Sequence, residues 1–121
     1  LNAVKQMTFD DVMDILMGEK NAATTYLHNK THLALYNEFK PIMTSSLNKF
    51  GALNLWSDAI NKYNSIPFVT KVNPDLADHV SNKALTGLFA LVEKKELGIR
   101  TDISQRTTDL LQKVFAKQDK K

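Results

Sequence analysis

The chain has 121 residues, 43% hydrophobic and 24% charged, with no cysteine. This length allows one folded domain with a core of its own and needs no staple. The balance excludes a mainly disordered chain, and the missing thiols exclude disulfides, thiolate metal sites and cysteine nucleophiles. The formal charge of +3 is carried by residues 113–121, where four lysines face one aspartate. Residues 1–112 are thus neutral, whereas a nucleic-acid binder shows a basic face on its folded part. The expectation is no nucleic acid as a partner. The longest apolar run, residues 88–92, is far short of the roughly 18 residues of a membrane span, so the chain is not expected to be transmembrane.

Leu1 is not a start methionine, and "LNAVKQM" reads as the end of a helix begun upstream. The reading is a trimmed N-terminus, with a missing N-terminal segment that packs on this domain. Next, Phe9, Val12, Met13 and Leu16 follow helical spacing. Thr8 with Asp11 forms a variant of the capping box, and Gly18 closes the helix. Asn21 is placed to cap a second helix that runs to Phe39, where Pro41 should kink or restart it. Ile42, Met43, Leu47 and Phe50 carry the stripe on to Gly51. Leu53, Trp56, Ala59, Ile60 and Tyr63 mark another helix.

"SIPFVTKVNP" breaks the rhythm. It reads as a loop that tucks its apolar side chains over the core. Asn73 as cap and Pro74 at the first position then open the longest helix, roughly 74–97. Residues 84–92 are apolar in nearly every direction, which marks the central helix of a bundle. Gly87 inside it suggests close approach of a neighbour; residues 93–96 read as its exit to solvent. A last helix follows Gly98, with Ile103, Thr107, Leu110, Leu111, Val114 and Phe115 on one stripe, and Ser104 or Thr101 as its cap. A basic tail, about 117–121, is expected to fray. With almost no strand signal, the fold class is all-α: a single domain, residues 1–121, of about six helices around the central one, without significant sheet.

Six stretches in order, "MTFDDVMDIL", "AATTYL", "FKPIMTSSLNKFGA", "IPFVTKVNPDL", "KALTGLFALV" and "QRTTDLLQKVF", together resemble the bacterial domain-of-unknown-function (DUF) family 4197. The resemblance spans about Met7 to Phe115. It implies an α-helical, exported bacterial protein of the periplasm or cell envelope, with a signal and a further helical segment ahead of this region. It implies no activity. His28 and His32 depart from the pattern of the family.

His28 and His32 lie four apart, a spacing that suits zinc. Asn29 replaces the glutamate of an H-E-x-x-H motif, and a third ligand would have to come from His79, Glu38 or Asp75. The plainer reading is exposed polar histidines, so no metal and no cofactor are expected. Asp10, Asp11 and Asp14 suit a helix N-terminus better than an acid/base pair. No nucleophile elbow or glycine-rich phosphate loop occurs, so no catalytic residue is assigned. Tyr26, Tyr36, Tyr63 and Trp56 could line an apolar pocket, although core packing is the commoner use of such spacing.

Two arginines stand among sixteen basic residues, Arg100 and Arg106. Arginine forms planar bidentate pairs with carboxylates. The leading reading is structural: fixed acidic partners on neighbouring helices, Asp109 being the nearest in sequence. The sharper reading makes Arg100, Arg106, Thr107 and Thr108 a candidate anion- or ligand-binding set at a helix start. The functional expectation is a non-enzymatic binding or interaction module with an unknown protein partner or small ligand. The alternative is a carrier or sensor of a small amphipathic or anionic ligand between helices.

Overall fold

A computed structural model describes residues 1–120. The described residues form helices α1 (Asn2–Lys5), α2 (Phe9–Met17), α3 (Ala22–Asn48), α4 (Ala52–Asn64), α5 (Leu76–Thr101) and α6 (Asp109–Phe115), with 3-10 turns at Ile103–Gln105 and Gln118–Lys120 and no strand. The fold class is all-α, as the periodicity requires. The chain divides into two compact units, one of Leu1–His32 and Gly87–Lys121, the other of Leu33–Thr86. Residues 22–32 of α3 and 87–101 of α5 belong to the first, and the remainder of both helices to the second.

Local chemistry explains most helix starts. Thr8 and Asp11 form the full reciprocal box: the Asp11 amide donates to Thr8 Oγ1 at 3.1 Å and the Thr8 amide to Asp11 Oδ2 at 2.9 Å. Gly51 between α3 and α4 has φ 66°, a conformation that side chains resist. α5 begins at Leu76 rather than Pro74. Its cap is Asp75, whose Oδ1 accepts the Asp78 amide at 3.0 Å, while Asn73 holds the Asp75 amide at 2.9 Å. The side chains of Asn73 and Asp75 are both spent on the turn, and the helix starts later.

α3 does not restart at Pro41, which lies inside one continuous helix. The ring removes one donor, but Pro41 and Asn37, four residues before it, are both exposed, so water can satisfy the freed carbonyl. Gly87 admits no close neighbour either: beyond the adjoining backbone of its own helix, no heavy atom lies within 4 Å of where its Cβ would stand. Its cost in the helix is therefore uncompensated. Gly87→Ala is expected to stabilise the protein by roughly 0.5–1 kcal/mol, read as a small rise in urea midpoint; a drop would show a packing role for the glycine.

The buried set is small and mostly on α5. Ala77, Ser81, Leu85, Phe89, Glu96 and Arg100 fall at spacings of four, four, four, seven and four on that helix, joined by Leu16, Thr24 and Arg106. Five of these nine are polar or charged, so buried polar groups decide packing as much as apolar ones. Many predicted core residues lie at the surface instead: Phe9 and Val12 on α2, Phe50, Tyr63 on α4, Leu110 on α6 and Ile103. Helical spacing made them a stripe, but the stripe finds no cover among the described residues. The last stripe keeps only Leu111 and Phe115 half-buried, and Thr107 is exposed.

Candidate functional site

The first unit is organised around a carboxylate and two guanidinium groups. α5 turns residues 93–95 to solvent, as its charge suggested, but not Glu96. Glu96 is buried, because the open end of α3 claims it. The first amides of a helix have no intrahelical acceptor. Here Ala22 donates to the Glu19 carbonyl at 3.1 Å and Thr25 to that of Asn21 at 2.9 Å. The two between them, Ala23 and Thr24, donate to Glu96 at 2.8 and 2.7 Å, and Thr24 Oγ1 adds a third bond at 2.7 Å. A negative group is thus held at the positive end of α3. Burial pushes the Glu96 carboxyl up, but hydrogen bonds from Thr24, Ala23 and Arg100 outweigh it and hold the group below its ordinary 4.5.

Arg100, one turn on, binds Glu96 through Nε at 2.9 Å and through Nη2 at 2.8 Å. Its other donors go to the Leu16 carbonyl at 3.0 Å, the Ile15 carbonyl at 2.6 Å and Gln118 Oε1 at 3.3 Å. Ile15 and Leu16 are in the last turn of α2, whose orphan carbonyls favour a cation. One ion pair therefore serves the end of α2 and the start of α3 together. Gly18 between them has φ −79°, so the left-handed region is not its reason. A Cβ there would stand 2.4 Å from the Asp14 carbonyl oxygen, and the turn is too tight for one.

Arg106 sits in the break between α5 and α6. It donates to the carbonyls of Ile99 at 2.9 Å and Arg100 at 3.3 Å, and bidentately to Asp119 at 2.5 and 2.9 Å. Its partner is not Asp109, three residues away, but a residue from the tail. Gln118–Lys120 form a 3-10 turn rather than a frayed end, because Gln118 and Asp119 meet the two arginines; Lys121 lies outside the described residues. The Phe115 ring lies 5.7 Å from both guanidinium carbons, a cation–π arrangement. Among the described residues no buried side-chain nitrogen or oxygen lacks a partner.

The four residues of the candidate anion set have different roles. Arg100 and Arg106 are 4% and 3% exposed and committed to protein acceptors. An incoming anion would have to replace Asp119 or Gln118. Thr108, and not Ser104 or Thr101, caps α6, its Oγ1 accepting the Leu111 amide at 3.2 Å. Asp102 caps the preceding 3-10 turn through the Ser104 amide at 2.9 Å. Thr107 borders an open cleft of about 390 Å³ with Lys95, Ile99, Ser104, Gln105 and Leu111, which takes in neither arginine.

The remaining candidates are dispersed. The His28 and His32 rings lie 4.7 Å apart, tilted by 34°, and His28 meets Phe89 edge-on at 4.7 Å. Among the described residues no group of three or more His, Asp or Glu could hold a metal ion. In the second unit, His79 stacks on Trp56 at 5.8 Å and Asp75 pairs with Lys40 at 3.0 Å. Tyr26 donates to the Ala3 carbonyl at 3.2 Å, Tyr36 to Asp78, and Trp56 to the Asn73 carbonyl at 3.0 Å. These polar ends are used for anchoring, as is usual for half-buried tyrosine and tryptophan.

A family model described as a protein of unknown function (DUF4197) matches residues 1–116. The chain belongs to this family. The match begins ahead of the stretches that carried the resemblance in sequence, and it takes in both arginines. It leaves out Gln118 and Asp119, so the family region ends just before the residues that complete the network. Comparison with curated proteins and with solved structures gives no match. Among the described residues, no helix is long and apolar enough to cross a membrane.

The Glu96 carboxyl gives the DUF4197 chain a defined response to acid. Its folded pKa is depressed, so the unfolded chain binds the proton more tightly. Stability from this group is complete above pH 4.5 and is lost as pH falls through the lower folded value. Asp119, held down by its Arg106 hydrogen bonds, acts in the same direction. Urea midpoints are expected to fall steeply below pH 4.5, and Glu96→Gln should flatten that fall without removing it. An unchanged slope would mean that Glu96 is not the group being titrated.

Proposed function

We propose that this member of the family is a non-enzymatic interaction module that works by covering its apolar helical surface against a protein partner. The observation that carries the reading is area. The chain exposes 8894 Å², whereas a compact monomer of 13.7 kDa exposes about 6,600 Å². Counting the two units as separate compact bodies raises that figure only to about 7,900 Å². The excess is of the order that a stable protein interface removes from water. It includes large apolar side chains such as Phe9, Phe50, Leu55 and Leu110, each more than two-thirds exposed. Soluble monomers rarely carry so much uncovered apolar surface without using it. The periplasmic or envelope location implied by the resemblance is part of this proposal.

Sedimentation velocity over a wide concentration range, with binding of an apolar fluorescent dye to the native state, tests it. Expected is concentration-dependent association, or strong dye binding by a chain that still melts cooperatively. A strict monomer that ignores the dye would overturn the reading.

A further inference from the structure

In the second unit, residues 65–71 connect α4 to the turn before α5. The sequence predicts a loop folded over the core; Val69 and Val72 are half-buried, but Ile66 and Phe68 turn outward. Phe68 is at 107% of its reference exposure and Ile66 at 52%. Phe68 also has φ 65°, the only positive φ outside glycine among the described residues. An aromatic residue resists this conformation, and such strain persists only where the surroundings impose it.

The base of the loop does so. The Asn64 side chain donates to the Val72 carbonyl at 2.7 Å and accepts the Val72 amide at 2.8 Å. It pairs with backbone as a strand would and closes the loop at its neck. Trp56 fixes the next residue through the Asn73 carbonyl at 3.0 Å. Ser65 and Ile66 continue the hydrogen bonding of α4 through the Asn61 and Tyr63 carbonyls. The neck is fixed on both sides, while the tip gains nothing from the protein for its strained backbone or its exposed ring.

Charge identifies what such a tip meets. Between Asp58 and Asp75 there is no acidic residue, while Lys62 and Lys71 flank the tip and are exposed. Tyr63, at 42% exposure, lies one residue before the neck. An apolar point with an aromatic neighbour and a cationic collar is the pattern of an interfacial contact with anionic lipid. A protein groove would need far more contact area than this tip presents, whereas a bilayer imposes no shape.

We propose that the loop of residues 65–71 is a membrane-contact element, with Phe68 and Ile66 entering the interface of an anionic bilayer and Lys62 and Lys71 meeting lipid phosphates. It uses side chains other than those named in the association reading, and does not rest on it.

Co-sedimentation of the full chain with vesicles tests this, using phosphatidylcholine alone or mixed equally with phosphatidylglycerol. Wild type is expected to pellet with the mixed vesicles and not with the neutral ones. Phe68→Gly removes the ring and relieves the backbone, so it should keep or raise the melting temperature while weakening partition about tenfold or more. Lys71→Glu should weaken it severalfold. Failure of wild type to bind the mixed vesicles would overturn the proposal and would point to a protein ligand for the loop. Equal binding by wild type and Phe68→Gly would overturn it too, as charge alone would then suffice. The sedimentation velocity experiment above is run without lipid, so the two proposals fail separately.

Discussion

Replacing Glu96 by alanine is expected to cost about 3–5 kcal/mol, the usual penalty for leaving a buried cation without its partner. Three donors at the start of α3 lose their acceptor at the same moment, and Arg100 is left buried beside the α2 carbonyls. For a chain of this size, such a loss lowers the melting temperature by more than 10 °C, about enough to unfold a marginal domain. Glu93→Ala is the control. Glu93 is exposed and makes one hydrogen bond, to Asn21 at 3.2 Å, so its loss should be worth less than about 1 kcal/mol. Thermal melts of the two variants side by side decide the matter. Equal small shifts would show that the buried pair is dispensable.

Leu85→Ala is the second large effect expected, at about 3 kcal/mol. Leu85 is completely buried, and among the described residues only Leu16, Ala77 and Phe89 share its class as buried apolar residues. With so short a list, one truncation removes an unusual share of the apolar burial. The contrast is Leu55→Ala, at 71% exposure. It should leave the urea midpoint of the monomer almost unchanged and instead weaken association and dye binding. If Leu55→Ala destabilised the monomer as much as Leu85→Ala, the exposed surface would be core after all, and the association reading would lose its basis.

Local patterns were legible in the sequence, and long-range ones were not. Thr8 and Asp11 are three residues apart, so their mutual capping follows from spacing alone. The α3 partners of Glu96 lie 72 and 73 residues away, and no local rule reaches them. A signal was nonetheless present: Glu96 and Arg100 continue the stripe of Ala77, Ser81, Leu85 and Phe89, where charge on a buried face demands a partner. Arg106 was expected to have a fixed acidic partner, yet proximity favoured Asp109 over Asp119. The choice was made by the break after α5, which aims the guanidinium at the tail. Phe68 shows the opposite limit. Hydrophobicity marks a residue that gains from leaving water, but not what covers it, and periodicity cannot tell a core stripe from an interface stripe.

The proposition on which the rest depends is that a side chain of α5 caps α3. Residue-resolved hydrogen exchange at the Ala23 and Thr24 amides tests it most directly. In wild type both amides should be protected as well as those inside the helix, and in Glu96→Gln, where an amide carbonyl replaces the charged acceptor, their protection should fall more than that of residues one turn further on. Rapid exchange of both amides in the wild-type protein would contradict it.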